Sequence, residues 1–468
     1  MRPDKTELCY LTIGEASELL SSRKLSPVEL TRAFLDRIDR LDGVVQAYIT
    51  VLGDEAMGEA RRAEAEILRG ERKGPLHGIP IALKDLYDTE GVRTTAGSRV
   101  MADRVPTADA TTTARLKAAG SILLGKLTMH EFGLGDLDAT SGFPMARNPW
   151  NLEHTPGGSS SGSGAAVAAG LCMAALGSCT GGSIRGPASH CGIVGLKATY
   201  GRISRAGAVP MSWTMDHCGP MTWNVEDTAT MLQAIAGHDP GDPASSPLPV
   251  PDYSKSLVED VEGLRIGVPR HFFFADDPQI NREILATVET ALSALEGLGA
   301  QVEEVTVPSL QYARAAHAVI MFSEAFAYHR PNLLARPDDF GVRARAQFRV
   351  GGLFSSSDYL QAQRVRNVLK SEFAQVLEDV DVVVSPTRPQ PAPRFDQVEQ
   401  MTISGLVSFT NPYNLTGLPA ISVPCGFTSD GLPVGLQIAG RPYDEPTVLR
   451  AAFAYQQHAR LFEKRPQI

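Results

Sequence analysis

TTTARLKAAGSILLGKL, residues 111–127, places a helix-forming stretch directly ahead of an apolar run with strand character. GIPIALKD, residues 78–85, is a similar strand-like run upstream of it. Strands alternating with helices in this way favour an α/β fold, with a parallel or mixed sheet between helical layers. The alternation continues toward the C-terminus. LRIGVPR (264–270), QVEEVTVP (301–308), VDVVVSPT (380–387), AISVPCGF (420–427) and PVGLQIAG (433–440) read as strands. Helices are expected over 281–298, 310–335, 357–378 and 445–461. Upstream, residues 1–70 read as helical. IGEASELLSS and SPVELTRAFLDRIDRLD carry apolar residues at three- and four-residue steps, and Ser26-Pro27 makes an N-cap and first-turn pair.

The length of 468 residues allows about three domains. The most linker-like stretch, HDPGDPASSPLPVPDY at 238–253, has strand-and-helix alternation on both sides. It reads as a Pro-rich surface connection inside one domain spanning 1–468. Glycine and proline make up about 16% of the chain against roughly 12% on average, so shaped loops are expected.

The net charge of −9 argues against a nucleic-acid partner. Residues 155–184 carry no charge, but their apolar part, AAVAAGLCMAALG (165–177), is only 13 residues long. A bilayer needs about 20, so this run reads as a buried helix and no membrane association is expected. The N-terminal residues lack signal-peptide character. Six scattered cysteines without CxxC spacing read as reduced thiols in a cytoplasmic protein. The ten histidines show no HxH or HExxH pattern, so no metal site is expected.

Two motif look-alikes fall away. Gly120 to Lys126 resembles a phosphate loop, but Leu127 stands where Ser or Thr must hold magnesium. Gly158-Ser159-Ser160-Ser161-Gly162 matches a nucleophile elbow, yet NLEHTPGG precedes it in place of an apolar strand. What remains is a pair of Gly/Ser loops, Pro156–Gly164 and Ser178–Ser183, on either side of the alanine-rich segment. Glycine loops anchored by buried elements hold backbone N–H groups in fixed directions, as an oxyanion hole requires. Pro187 is suited to the first turn of a following helix, which would put Ser183 near its positive end.

A serine nucleophile needs a base, and a desolvated lysine can serve. Lys84 lies in the apolar run GIPIALKD. An unperturbed lysine, with pKa about 10.4, must lose roughly 4 kcal/mol of preference for its charged form to act near pH 7, and burial can supply that. Strand alternation sends Asp85 to the opposite face. Lys126 and Lys197 are rival lysines.

At this point the residues resemble the amidase signature family of serine hydrolases. The matching stretches are GPLHGIPIALKDLYDTEGVRTTAGS, DATTTARLKAAGSILLGKLTMHEFGLG, NPWNLEHTPGGSSSGSGAAVAAG, GSCTGGSIRGPASHCGIVGLKATYGRIS, DHCGPM, GLPAISVPCGF and LPVGLQIAGRPYDE. The resemblance implies the amidase-signature fold, a central mixed twisted sheet surrounded by helices. It implies a Ser–Ser–Lys triad: Ser183 as nucleophile, Ser159 as the bridging serine after a cis peptide bond, and Lys84 as base. The backbone N–H groups of Thr180, Gly181, Gly182 and Ser183 would form the oxyanion hole. No cofactor is implied. Cys179 stands where many members carry an aspartate that supports the loop and Arg185. Gly186 stands where bulkier side chains are common, which leaves room beside Ser183.

The leading expectation is a stand-alone amidase that hydrolyses a small carboxylic amide, or a urea-like or aryl amide, through a seryl acyl-enzyme. Its partner would be that small molecule alone, with a homodimer as the expected assembly. The alternative is the glutaminase, the ammonia-supplying component of a glutamyl-tRNA amidotransferase-type complex. Residues 310–395 are expected to separate the two: SEAFAYH, SSSDYLQAQRVRNVL and DVDVVVSPTRPQPAP resemble free amidases, and no YGYR-like stretch is present. A catalytically inert binding protein of the same fold is the third possibility. Trp213, Met215, Met129, Phe132, Phe143 and Met145 are candidate pocket residues.

Overall fold

Strands that are apolar along their whole length can only sit where both faces are covered. Six strands of this chain are buried at every position: β2 (Pro80–Lys84), β3 (Ile122–Leu127), β5 (Val194–Lys197), β6 (His217–Thr222), β9 (Val382–Pro386) and β11 (Pro433–Gly440). In the computed structural model, which describes residues 5–135, 137–398 and 408–468, they form the middle of one sheet. β1 (Tyr48–Val51), β4 (Ala174–Cys179), β7 (Arg265–Val268), β8 (Gln301–Glu304) and β10 (Ala420–Phe427) complete eleven strands. The order is β1-β3-β2-β4-β6-β5-β10-β11-β9-β7-β8. β2 runs parallel to β3 and β4, and β7 parallel to β8 and β9, while the other pairings are antiparallel. The sheet is thus mixed, with helices around it. One edge, β8, is Gln-Val-Glu-Glu with its acids exposed, a composition that discourages further pairing.

The expected long helices are Arg282–Gly297, Leu310–Ala335, Ser356–Asp379 and Glu445–Ala459. The first seventy residues fold as helices Ile13–Ser21, Pro27–Val45 and Gly53–Leu68, and Ser26 caps the second through Val28 and Glu29. The short edge strand β1 interrupts them, a departure from the all-helical expectation. The stretch 238–253 is pinned to the preceding segment by the Arg205–Asp242 ion pair and by Ser246 N–H on the Gly201 carbonyl.

The apolar run 165–177 is not one helix. It divides into the end of helix Ser161–Ala168 and most of β4. Gly170, at φ +65, takes the left-handed conformation that ends a helix, and the chain re-enters the sheet beyond it. Among the described residues no helix is long and apolar enough to cross a membrane.

Candidate active site

β2 lies between β3 and β4 and delivers Lys84, its last residue, into the protein with no solvent exposure. Lys84 Nζ donates to Ser159 Oγ at 2.8 Å, Ser160 Oγ at 2.9 Å and Ser178 Oγ at 2.8 Å. Asp85 faces away, toward Thr95 and the Lys126 Nζ 3.6 Å distant. Burial therefore dominates at Lys84 and lowers its pKa to about 7, with Cys179, Asp216 and Cys218 opposing the shift.

The rival lysines are equally buried but differently occupied. Lys126 Nζ donates to the Tyr87 carbonyl at 2.6 Å and to Thr94 Oγ1 at 2.7 Å. Lys197 Nζ donates to the Ala198 and Leu418 carbonyls. Neither of them meets a serine hydroxyl among the described residues.

Ser159 and Ser160 directly precede helix Ser161–Ala168, and the Gly158–Ser159 peptide is cis. The His130 N–H donates to the Ser159 carbonyl at 3.0 Å. Ser183 is brought to the same place through backbone: its carbonyl accepts the Ser160 N–H at 3.3 Å. Lys84 and Ser159 are thus in direct contact, and Ser183 adjoins them without a hydrogen bond to Ser159. The family resemblance names Ser159, and neither it nor the residue pattern names Ser160 and Ser178 as partners of Lys84. Ser178 is detectable as the last-but-one residue of a strand parallel to β2.

The loop from Thr180 to Ser183 is tied on both sides. Thr180 Oγ1 donates to Asp216 Oδ1 at 2.6 Å, and Asp216 also accepts the Met211 and Ser212 N–H groups at 2.8 and 2.9 Å. Thr410 Oγ1 donates to the Gly181 carbonyl at 2.6 Å. Gly182 sits at φ +138, and a Cβ built on it would collide with Thr410 Oγ1, so no side chain fits there. The N–H groups of Gly181, Gly182 and Ser183 donate to no protein acceptor among the described residues. Asp216 lies in a quoted motif, but its hold on Thr180 has no signal in the local pattern.

Behind the loop, Arg185 is fully buried. Its guanidinium donates to Gln437 Oε1 at 2.6 Å, to the Thr410 carbonyl at 3.1 Å and to Asn414 Oδ1, with Cys179 Sγ at 3.8 Å. Burial pushes the Cys179 thiol up, but Arg185, the Ile184 N–H, Lys197 and Asn414 outweigh it and hold the group below its usual value. Cys179 therefore stands as the neighbour of Arg185. Helix Arg185–Cys191, which follows Ser183, is seven residues long.

A cavity of about 270 Å³ opens beside these groups, with Phe132, Ser178, Thr180, Met211, Trp213 and Asp216 in its wall. Of the six expected pocket residues, Phe132 and Trp213 line it. Met129 and Met215 are buried in the core instead, and Phe143 and Met145 lie elsewhere. Arg205 stacks between the Tyr200 and Trp213 rings, 4.8 and 5.3 Å from their centroids.

The sequence pattern of the Amidase family matches residues 29–449. The chain belongs to the amidase signature family. The A subunit of the glutamyl-tRNA(Gln) amidotransferase from Moorella thermoacetica is 45% identical over 99% of this chain and 99% of its own. The protein of the same description from Geobacter metallireducens is 43% identical over 96% and 98%. The solved structure of the corresponding Thermotoga maritima protein superposes with a TM-score of 0.82 at 36% identity, covering 96% of this chain and 95% of its own.

These likenesses overturn the leading functional expectation. An amidase-family hydrolase is established, but relatives at 39–45% identity across nearly the whole length are named as part of an amidotransferase, not as free amidases. The expectation of a small-molecule amide as sole partner, with a homodimer as the assembly, falls with it. The physical reason is that contacts between Lys84 and serine hydroxyls fit either kind of amide hydrolysis and so do not separate the two readings. Residues 310–395, on which the distinction rested, are only a small part of the chain.

Proposed function

We propose that this chain is the glutaminase of a glutamyl-tRNA amidotransferase-type complex, the component that supplies ammonia. The observation that carries the reading is identity of 45% spread over 99% of the chain and of its relative, together with a lysine buried among serine hydroxyls. In this reading neutral Lys84 takes a proton from Ser159, and Ser159 takes one from Ser183 once substrate closes the gap. Ser183 Oγ attacks the side-chain amide carbon of glutamine. The oxygen that gains charge is met by the N–H groups of Gly181, Gly182 and Ser183, with Thr180 holding the loop on Asp216. The proton returns through Ser159 to the departing nitrogen and ammonia leaves. Water, deprotonated along the same relay, then releases glutamate and restores Ser183.

The test is ammonia release from glutamine by the purified chain, alone and co-expressed with the genes beside its own. The expected result is glutaminase activity that rises when a co-purifying partner is bound and disappears in Ser183→Ala. A chain that purifies without a partner and releases no ammonia from glutamine overturns the reading.

A further inference from the structure

Arg388 lies two residues past the end of β9, on a segment held at both sides. The Thr387 N–H donates to the Gly435 carbonyl at 2.9 Å, and its hydroxyl meets Ser422 Oγ at 2.8 Å. The side chain lies against Gly186, three residues past Ser183. A Cβ built on Gly186 would stand 3.6 Å from Arg388 Cδ and 3.7 Å from Nη1. The space that the small residue leaves is therefore bordered by the Arg388 guanidinium.

No acceptor among the described residues takes a hydrogen bond or ion pair from that guanidinium. Burial lowers its pKa and no acid opposes the shift. The titratable neighbour is His190, whose ring burial and Arg388 together hold neutral, with a pKa of about 3. Arg185, by contrast, has three oxygen partners. Arg388 is partly buried, and fully buried arginines are ordinarily paired, because five donors left without acceptors are costly. Five donors without a protein acceptor among the described residues, against the glycine three residues past Ser183, suit a planar two-oxygen anion.

We propose that Arg388 is a specificity-determining residue that binds a carboxylate carried by the substrate amide, in the room left by Gly186. Ser183 as nucleophile is assumed. The glutaminase reading enters only for the substrate's identity, since glutamine carries such a carboxylate.

The experiment measures kcat/KM on matched pairs: glutaramate with pentanamide, succinamate with butanamide, malonamate with propanamide, and glutamine itself. Wild type should favour the charged member of at least one pair by about 50-fold. Arg388→Met should collapse that ratio about 50-fold, mainly through KM, and Arg388→Lys should restore part of it. A wild type indifferent to the carboxylate overturns the proposal whether or not the variants fold. So does a ratio in folded Arg388→Met that stays within threefold of wild type. Glutamine left uncleaved while another carboxylated amide is cleaved through Arg388 sinks the glutaminase reading and leaves this one standing. Glutamine cleaved equally by wild type and Arg388→Met does the reverse.

Discussion

The pH dependence of turnover follows from the surroundings of one amine. Lys84 has no solvent exposure, three hydroxyl oxygens at 2.8–2.9 Å and no carboxylate in contact, and its pKa falls to about 7. Relative to its ordinary value near 10.5, this is about 5 kcal/mol of bias toward the neutral form. Half of the folded molecules then hold a neutral Lys84 at pH 7, and about 1% do at pH 5. With Lys84 as base, kcat/KM for ammonia release should fall about 50-fold between pH 7 and pH 5 and level off above pH 8. The assay is steady-state ammonia release from glutamine over pH 5–9.5, with Lys84→Met as the inactive reference.

The same shift fixes the sign of the stability change. The unfolded chain binds a proton at Lys84 below about pH 10.4, the folded chain only below about 7, so the unfolded state holds more protons in between. Raising the pH from 7 to 9 should then stabilise wild type relative to Lys84→Met by about 2 kcal/mol in urea melts. A kcat/KM that keeps climbing tenfold per unit from pH 8 to 9.5 would refute the reasoning, because it would mean an amine with an ordinary pKa.

Ser183→Ala should abolish labelling by a fluorophosphonate probe and cut ammonia release at least 10³-fold, while Ser159→Ala should cut turnover by about 10²-fold or more with its thermal melt little changed. Gly182→Ala forces a methyl onto Thr410 Oγ1 and a side chain into φ +138; a loss of about 2–4 kcal/mol in denaturant melts, with loss of activity, is expected. Arg185→Met strips donors from Gln437, Asn414 and the Thr410 carbonyl, so its melt should show a loss of about 3 kcal/mol. A melt within 0.5 kcal/mol of wild type would show that the buried network contributes nothing.

Local pattern was enough for the alternating strands and helices, the Ser26 cap and the placing of Lys84, Ser159 and Ser183 in strand-end or glycine-rich segments. Those features depend on neighbours a few residues away, and spacing along the chain records them. Folding decided the rest. Lys84, Lys126 and Lys197 all sit in apolar strands with no exposure, so local pattern favours Lys84 only weakly and the family resemblance is needed to name it; strand order separates them physically, because β4 beside β2 brings Ser178 and the Ser159–Ser160 turn to Lys84 alone. The run 165–177 reads as one helix because its composition suits a buried helix and a buried strand equally, and the left-handed Gly170 divides it. Asp216 beneath Thr180 and Arg388 against Gly186 lie 36 and 202 residues away along the chain. Only long-range packing sets which charge is buried beside which partner, and from that follow which buried amine meets serine hydroxyls and which guanidinium has no protein acceptor among the described residues.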